Sequence, residues 1–231
     1  SYLQDCIKSI VDNKNENIGN VVIVDNGSTD NSLSLVPNDK TYINIIREKI
    51  NHGFGKACNI GAKYTDSKYI LFLNPDTKIN ESSINESINF MEKQSSSDVG
   101  ICGIQLKDKH GISASCSRFP SVLNILSSSI GLSKLFFKLG APMKDFSHES
   151  SIEVDQVMGA FFFIRRDLFN KCNGFDEQFF VYFEEVDLSK RIKDLGFKSF
   201  FLADCNAFHA GGGVSQQVKA KRLFYSLRSR I

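Results

Sequence analysis

The stretch VVIVDNGSTDNS, residues 21–32, decides the fold. It opens with four apolar residues and reaches an acid at Asp25. Continuous apolar runs of this kind are typical of strands that are covered on both faces, as in parallel sheets. The polar residues that follow favour a turn and the capping of a helical segment. A buried strand followed by such a turn predicts the beginning of a β-α-β arrangement.

The segments on both sides continue the alternation of strand and helix. The first residues, SYLQDCIKSIVDN, place apolar side chains at helical spacing. We therefore predict an α/β fold of the Rossmann-like kind, with a mixed, mostly parallel central sheet and right-handed crossovers. Further strands are predicted at 41–47, 68–77, 99–106, 157–166 and 197–204, and further helices at 51–65, 81–94, 167–174 and 184–196.

Composition points to an ordinary globular protein of 231 residues, with 42% hydrophobic and 23% charged residues. The net charge of +2 gives no reason to expect a nucleic-acid partner. We expect one domain over residues 1–231, built of two halves at 1–106 and 107–231. The region 107–150 is more polar and less periodic than its surroundings.

The cysteines and the C-terminal stretch indicate where in the cell the protein acts. Six cysteines are scattered without a CxxC pair, which favours a reduced, cytoplasmic compartment. No apolar run in the sequence reaches membrane-spanning length. The C-terminal stretch is basic, and it could contact an anionic membrane face or a diphosphate-bearing acceptor, or simply form a solvated helix face. Its charges are Lys219, Lys221, Arg222, Arg228 and Arg230.

Two acids follow predicted strands. Asp25 ends one strand, and Asp76 follows another after Pro75. Ligands of open α/β sheets bind beyond the carboxyl ends of the strands, so these acids are candidates for a cation or for a ribose and base. A carboxylate at Asp76 suits Mg²⁺, which shares its coordination with substrate phosphates. Alternatively, Asp25 forms an Asx turn and Asp76 caps the next segment.

Two further patterns indicate ligands. NHGFGKACN places Gly53 and Gly55 ahead of a helix, whose N-terminus favours phosphate. Lys56 could screen that phosphate or remain a solvated lysine. His209 ends an apolar strand before three glycines, which makes it a candidate metal ligand, although a lone histidine is more often structural.

The stretch FVYFEEVDL, residues 180–188, sets three acids behind aromatic residues. Asp187 lies four residues before Arg191, a spacing typical of a stabilising helical pair. The first turn of a helix also favours acids. Aromatic surroundings raise the pKa of a carboxylate and oppose that effect, a balance that suits a general base. Glu185 is the candidate for that role.

Several blocks in fixed order together resemble the family 2 glycosyltransferases of GT-A fold, and within them the rhamnosyltransferase-like branch. The blocks are VVIVDNGSTDNS, NHGFGKACNIGA, ILFLNPDT, MGAFFFIRRDLF, NGFDEQFFVYFEEVDLSKRIKDLGF and FHAGGGVS. The resemblance implies transfer of a sugar, with inversion, from a nucleotide diphosphate sugar, dTDP-rhamnose as the first expectation. It also implies Mg²⁺ or Mn²⁺, and a glycan or lipid-linked acceptor in bacterial surface polysaccharide synthesis.

The resemblance also implies that residues 1–106 form the nucleotide-sugar-binding half and residues 107–231 the acceptor-binding, catalytic half with the basic C-terminal tail, and it assigns roles residue by residue. It implies that Glu185 is the general base, a position at which relatives usually have Asp, and that Glu184 and Asp187 serve the acceptor side. Asp76 and His209 match the metal site. The positions expected to contact the nucleotide sugar are Asp25, Asn26, Gly53, Asn59 and Asn74.

One departure from the family keeps two alternatives open. Members usually begin with an apolar strand ahead of the first helix, and this sequence does not contain it. We therefore expect the first strand of the sheet to be missing. The alternative to an active enzyme is a truncated piece or a catalytically inactive nucleotide-sugar-binding domain. A nucleotidyltransferase is a weaker alternative, since no Gly-rich triphosphate loop is evident.

Overall fold

The structure is a computed structural model that describes residues 1–36, 41–122, 124, 143, 145–211 and 228. Helices and strands are interspersed through the first half, but only a short 3₁₀ helix, Ser32–Leu35, is described between the first two strands. The helices are α1 Tyr2–Asp12, α2 Phe54–Ala62, α3 Glu81–Glu92, α4 Arg166–Lys171 and α5 Glu184–Asp194. The strands are β1 Val21–Asn26, β2 Ile43–Glu48, β3 Tyr69–Leu73, β4 Thr77–Lys78, β5 Val99–Asp108, β6 Gly111–Ser113, β7 Cys116–Ser117, β8 Ile152–Val154, β9 Gln156–Val157, β10 Phe161–Arg165 and β11 Lys198–His209.

The central sheet is mixed, which confirms the predicted α/β class. Its order is β3-β10-β5-β11-β4, with β6 added to β5 and β8 added to β11. Strands β3, β5 and β11 share one direction, and β10 lies antiparallel between β3 and β5. The short strands β4, β6 and β8 add antiparallel pairs. Strands β1 and β2 form a separate parallel pair, and β7 pairs with β9.

The predicted strand at 157–166 is wrong as a single element. Strand β9 ends at Val157 and β10 begins at Phe161. Between them Met158 to Ala160 make a turn, in which the amide of Phe161 donates to the carbonyl of Met158 at 3.3 Å. The apolar run hid this break, because a run of buried residues shows no periodicity at a turn that is itself largely covered.

Phenylalanine dominates the core, as composition suggests. Phe161, Phe162 and Phe201 are among the largest side chains that are fully buried. One cluster joins β10 to helices α4 and α5, and a second lies on the other side, against α3. At Gly103 the sheet approaches β9 so closely that a Cβ would lie 2.6 Å from the Val157 Cβ. All six cysteines are unpaired thiols.

Several expectations stay untested. Among the described residues β1 pairs only with β2, and β3 only with β10, and the missing first strand remains a prediction. The division at residue 106 also remains a prediction, although β5 crosses it and pairs with β10 and β11. The basic C-terminal tail and much of 107–150 lie outside the described residues. Within the described chain, every helix is too short or too polar to cross a bilayer.

Candidate active site

The end of β1 holds the loop before α2 in place. Asn26 accepts a hydrogen bond from the His52 amide at 2.8 Å, and its Nδ2 donates to the Gly53 carbonyl at 2.9 Å. Asp25 accepts from the Ser28 amide through Oδ1 at 2.9 Å, a local bond that spans three residues and not the two of an Asx turn. Asn26 thus orders the loop through its side chain. Direct contact of Asp25 and Asn26 with a nucleotide remains a prediction.

Gly53 brings that loop against the segment that precedes α5. The amide of Phe54 donates to the Phe180 carbonyl at 2.8 Å. Gly53 has φ +88°, in the left-handed region, and a Cβ there would lie 2.1 Å from the Phe180 oxygen. Only glycine satisfies both the backbone angle and the close approach. Gly53 is also the N-cap of α2, so it lies at the helix N-terminus where phosphate is favoured.

Asn59 on α2 binds the same segment from the other side. Its Oδ1 accepts from the Phe175 amide at 2.9 Å, and its Nδ2 donates to the Phe175 carbonyl at 2.8 Å. Nδ2 also lies 3.2 Å from Glu177 Oε1. Because both ends of this buried amide are bonded to protein, Asn59 serves as a clamp, and its contact with a nucleotide sugar remains a prediction.

Lys56 adds an ion pair to this clamp. Its Nζ lies 3.1 Å from Glu177 Oε2, and both side chains are close to half exposed. Exposed pairs of this kind contribute little to stability. Lys56 is therefore not a freely solvated lysine, since its ammonium group has a protein partner. Screening of phosphate by Lys56 remains a prediction.

The backbone immediately before the two glutamates is unusual. Tyr182 and Phe183 both have positive φ, 69° and 74°. Such angles are uncommon for residues with side chains and cost of order 1–3 kcal/mol each. Phe183 is the N-cap of α5 and provides no side-chain cap. The contacts at Phe175 and Phe180 therefore hold a strained entry into the helix that carries Glu184 and Glu185.

Glu184 and Glu185 are adjacent carboxyl groups in the first turn of α5. Glu184 is buried, and burial followed by the charge of Glu185 raises the pKa of Glu184 to about 8. Burial also raises the pKa of Glu185 above the ordinary glutamate range. The Oε2 atom of each side chain is buried without a hydrogen-bond partner among the described residues. Glu185 as a residue nevertheless stays partly exposed, which suits a group that meets a substrate.

The turn at Met158 to Ala160 connects this pair to the end of β3. The Ala160 carbonyl accepts from the Asn74 amide and from Thr77 Oγ1, both at 3.2 Å. The position of a Cβ at Gly159 lies 4.0 Å from the Glu185 Cδ. Asn74, which follows the carboxyl end of β3, and Glu185 thus both lie against this turn. Its contact with a nucleotide sugar remains a prediction.

Asp76 and His209 are brought together as a pair. The His209 Nε2 lies 3.2 Å from Asp76 Oδ1, and the two side chains are only 12% and 6% exposed. Within the described part of the chain, no group of three or more potential metal ligands occurs. A buried carboxylate and an imidazole nevertheless fit a divalent ion that draws its other ligands from water and substrate phosphates.

Asp187 forms an ion pair within α5. Its Oδ2 accepts two hydrogen bonds from Arg191, at 2.7 and 2.8 Å, which confirms the predicted helical pair. Arg191 also donates to the carbonyls of Cys172 and Gly174. The role of Asp187 on the acceptor side stays a prediction, as does that of Glu184.

The sequence did not reveal several residues of the site. Nothing in it predicted that Phe180 meets Gly53 or that Tyr182 and Phe183 take left-handed angles. Gly159 was hidden within the strand predicted at 157–166. The glycine at position 53 was the one usable signal, since glycine ahead of a helix often marks a close backbone approach.

Comparison with known proteins assigns the family. Residues 1–172 match the family described as Glycosyl transferase family 2. The chain belongs to glycosyl transferase family 2. The chain is 27% identical over 186 residues to Rhamnosyltransferase WbbL of Escherichia coli, covering 77% of this chain and 68% of WbbL. It is 23% identical over 206 residues to an N-acetylglucosaminyl-diphospho-decaprenol L-rhamnosyltransferase of Mycobacterium tuberculosis, covering 82% and 66% of the two chains.

Solved structures confirm the fold of this family 2 member. S. aureus TarS 1-349 superposes with a TM-score of 0.62 at 18% identity, over 92% of this chain and 57% of that one. GalNAc-T7, solved with UDP, GalNAc and Mn²⁺, gives a TM-score of 0.64 at 12% identity, over 88% and 40% of the chains. These similarities confirm the GT-A fold. The match thus spans between two fifths and about two thirds of each of these relatives.

Proposed function

We propose that this chain is an inverting glycosyltransferase that moves a sugar from a nucleotide diphosphate sugar to a glycan or lipid-linked acceptor. The observation that carries the proposal is the Glu185 carboxylate, whose Oε2 is buried without a partner among the described residues while the residue itself stays partly accessible. A general base requires a free oxygen atom and a pKa close to the working pH. Burial supplies the raised pKa of Glu185.

The proposed step is a single displacement at the anomeric carbon. The acceptor oxygen forms a bond to that carbon as its proton passes to the Glu185 carboxylate. The bond from carbon to the leaving phosphate oxygen breaks, and its electron pair stays on the nucleotide diphosphate. Attack from the face opposite the leaving group inverts the anomeric configuration. Proton removal by a positioned base typically contributes about 10²–10⁴-fold.

On the donor side, the residues proposed to bind the nucleotide sugar lie on or beside one loop. Asn26 orders the loop, and Gly53 presents the N-terminus of α2 to a diphosphate. Asp25 lies near the carboxyl end of β1 and Asn74 follows the carboxyl end of β3, and ligands of α/β sheets bind beyond such strand ends. Asn59 would act through the backbone that it clamps.

Asp76 and His209 would hold the divalent ion, Mg²⁺ or Mn²⁺, beside the donor diphosphate. When bound, such an ion stabilises the negative charge that develops on the leaving group. Mn²⁺ is the first ion to test, because carboxylate oxygen suits it and an imidazole favours a transition ion over Mg²⁺. GalNAc-T7 and a mannosyltransferase of Pyrobaculum calidifontis were both solved with Mn²⁺.

The relatives suggest the substrates. Because two of them are rhamnosyltransferases, we propose dTDP-rhamnose as the donor and a lipid-linked diphospho-sugar as the acceptor, in the synthesis of a bacterial surface polysaccharide. Glu184 and Asp187 would support the acceptor side. We further propose that the protein acts in the cytoplasm at the inner face of the membrane, to which the basic C-terminal tail would bind peripherally.

A donor panel tests the proposal. The purified chain is incubated with Mn²⁺, N-acetylglucosaminyl-diphospho-decaprenol and one of dTDP-rhamnose, UDP-N-acetylglucosamine or GDP-mannose, and release of the nucleotide diphosphate is measured. We expect the fastest release with dTDP-rhamnose. Calorimetric binding of a nucleotide diphosphate without turnover of any donor would instead support the inactive nucleotide-sugar-binding domain.

A further inference from the structure

Gly159 lies in the turn between β9 and β10, and this turn is anchored on both sides. The Met158 amide donates to the Ser115 carbonyl at 2.9 Å. The Ala160 carbonyl accepts from the Asn74 amide, just after β3, and from Thr77 Oγ1 at the start of β4. The backbone on either side of Gly159 therefore has fixed partners, so that a side chain at this position would point in a defined direction.

Neither backbone angle nor packing explains why this residue is glycine. The glycines with positive φ are others, among them Gly53 and Gly174. A Cβ at Gly159 would lie 3.8 and 3.9 Å from the Phe54 ring and 4.0 Å from the Glu185 Cδ, which are ordinary van der Waals distances. At Gly103, by contrast, a Cβ would lie 2.6 Å from Val157. The fold thus requires glycine at 103 and tolerates alanine at 159.

The missing side chain would point at the carboxyl group proposed as the base. A methyl group at position 159 would contact the Glu185 carboxyl carbon and the edge of Phe54. Any longer side chain would extend beyond these atoms, beside the partly exposed Glu185 and the 36% exposed Met158. Glycine therefore keeps a side chain out of a position that lies 4.0 Å from the Glu185 carboxyl carbon.

We propose that Gly159 is a specificity-determining residue that keeps the approach to Glu185 open for an acceptor hydroxyl carried on a sugar ring. The inference rests on the proposed function. A hydroxyl must come within about 2.6–3.2 Å of the base, and a ring hydroxyl brings the bulk of the ring with it. Water needs no such space. A side chain at position 159 should therefore block transfer to a sugar more than it blocks hydrolysis of the donor.

The experiment compares Gly159→Ala and Gly159→Leu with wild type. For each protein, release of dTDP from dTDP-rhamnose is measured with Mn²⁺, first without acceptor and then with N-acetylglucosaminyl-diphospho-decaprenol. We expect Gly159→Leu to lower acceptor-dependent kcat/KM about 100-fold, as misplacement of a reactant by an ångström can do. The rate of dTDP release by Gly159→Leu without acceptor should differ less than threefold from that of wild type. The acceptor-dependent kcat/KM of Gly159→Ala should lie between the values of wild type and Gly159→Leu.

Gly19 provides the matched control. It has no atom within 4 Å of a Cβ position, is exposed and does not have positive φ. Gly19→Leu should leave both rates unchanged. Thermal unfolding of Gly159→Ala should stay within about 2 °C of wild type.

The outcomes separate the two proposals. If wild type releases no dTDP with or without acceptor, the proposed function fails with these substrates and this inference fails with it. If wild type transfers and Gly159→Leu transfers equally well, only the role of Gly159 is overturned. A fall in the unfolding temperature of Gly159→Ala well beyond 2 °C would also overturn it, because the glycine would then be required by the fold.

Discussion

Gly53 and Phe180, which are far apart in the sequence, approach so closely that a Cβ on Gly53 would lie 2.1 Å from the Phe180 carbonyl oxygen. The same oxygen accepts the hydrogen bond of the Phe54 amide. This contact joins the loop at the N-terminus of α2 to the segment that leads to Glu184 and Glu185. The donor side and the base of the proposed site are thereby built as one unit.

Gly53→Ala tests this contact. An alanine at φ +88° is strained, and its methyl group would displace Phe180. We expect a loss of about 2 kcal/mol or more in the free energy of unfolding, measured by urea denaturation. Gly19→Ala is the control, since nothing lies near its Cβ. Equal stability of the two variants would show that the two segments do not meet as described.

Asn59→Ala tests the clamp on Phe175. Removal of the amide leaves the Phe175 N–H and C=O buried without partners, because Phe175 is only 2% exposed. We expect a loss of about 3 kcal/mol in the free energy of unfolding. Lys56→Ala removes only the exposed ion pair with Glu177 and should cost less than about 1 kcal/mol. A smaller effect for Asn59→Ala than for Lys56→Ala would contradict the clamp.

The sequence predicted the regular elements well because their signals are local. The apolar run before Asp25 predicted β1, and the apolar spacing after Glu184 together with Gly196 predicted α5 and its end. It also paired Asp187 with Arg191 through helical spacing alone. These features depend on residues within a turn or a strand of one another.

The rest of the site depends on contacts that no local pattern contains. Asn59 and Phe175 are 116 residues apart in the sequence, and their hydrogen bonds follow from the fold. The left-handed angles of Tyr182 and Phe183 are imposed on residues that rarely adopt them, so propensity predicts the opposite. The apolar run at 157–166 likewise contained no local signal for the turn at Gly159. Tertiary packing overrides local preference at each of these positions.

The buried carboxyl of Glu184 makes stability depend on pH. The folded protein raises the pKa of Glu184 to about 8, first by burial and then through Glu185, so the folded state holds a proton that the unfolded chain releases near its ordinary value of 4.5. Stability from this group is present below about pH 4.5 and is lost as pH rises through about 8. The loss should be on the order of a few kcal/mol.

Glu184→Gln should remove much of the fall in the free energy of unfolding that accompanies rising pH. Its free energy of unfolding, measured by urea denaturation from pH 4.5 to 8.5, should fall less with rising pH than that of wild type. Glu81→Gln, at an exposed position in the first turn of α3, is the control and should keep the wild-type slope. A Glu184→Gln slope equal to that of wild type would contradict a buried, protonated Glu184.

Asp76 and His209 should bind Mn²⁺ together. We expect Mn²⁺ titrated into the protein with a nucleotide diphosphate present to lose its free-ion electron paramagnetic resonance signal. Asp76→Ala and His209→Ala should each weaken this binding at least tenfold, since each removes one of two protein ligands. Asp187→Ala is the control, because that carboxylate is paired with Arg191 and is not one of the proposed metal ligands. Unchanged binding in both ligand variants would place the ion elsewhere.

The most direct test of Glu185 as the base is the pH dependence of sugar transfer by wild type, Glu185→Asp and Glu185→Gln. Burial raises the pKa of Glu185, so wild-type kcat/KM should rise with pH through an acid limb above the ordinary glutamate range. Glu185→Gln should lose about 10²–10⁴-fold in kcat/KM and lack that limb, while it still binds the nucleotide diphosphate in calorimetry. Glu185→Asp should retain part of the activity. Transfer by Glu185→Gln at the wild-type rate, with the same acid limb, would contradict the central claim.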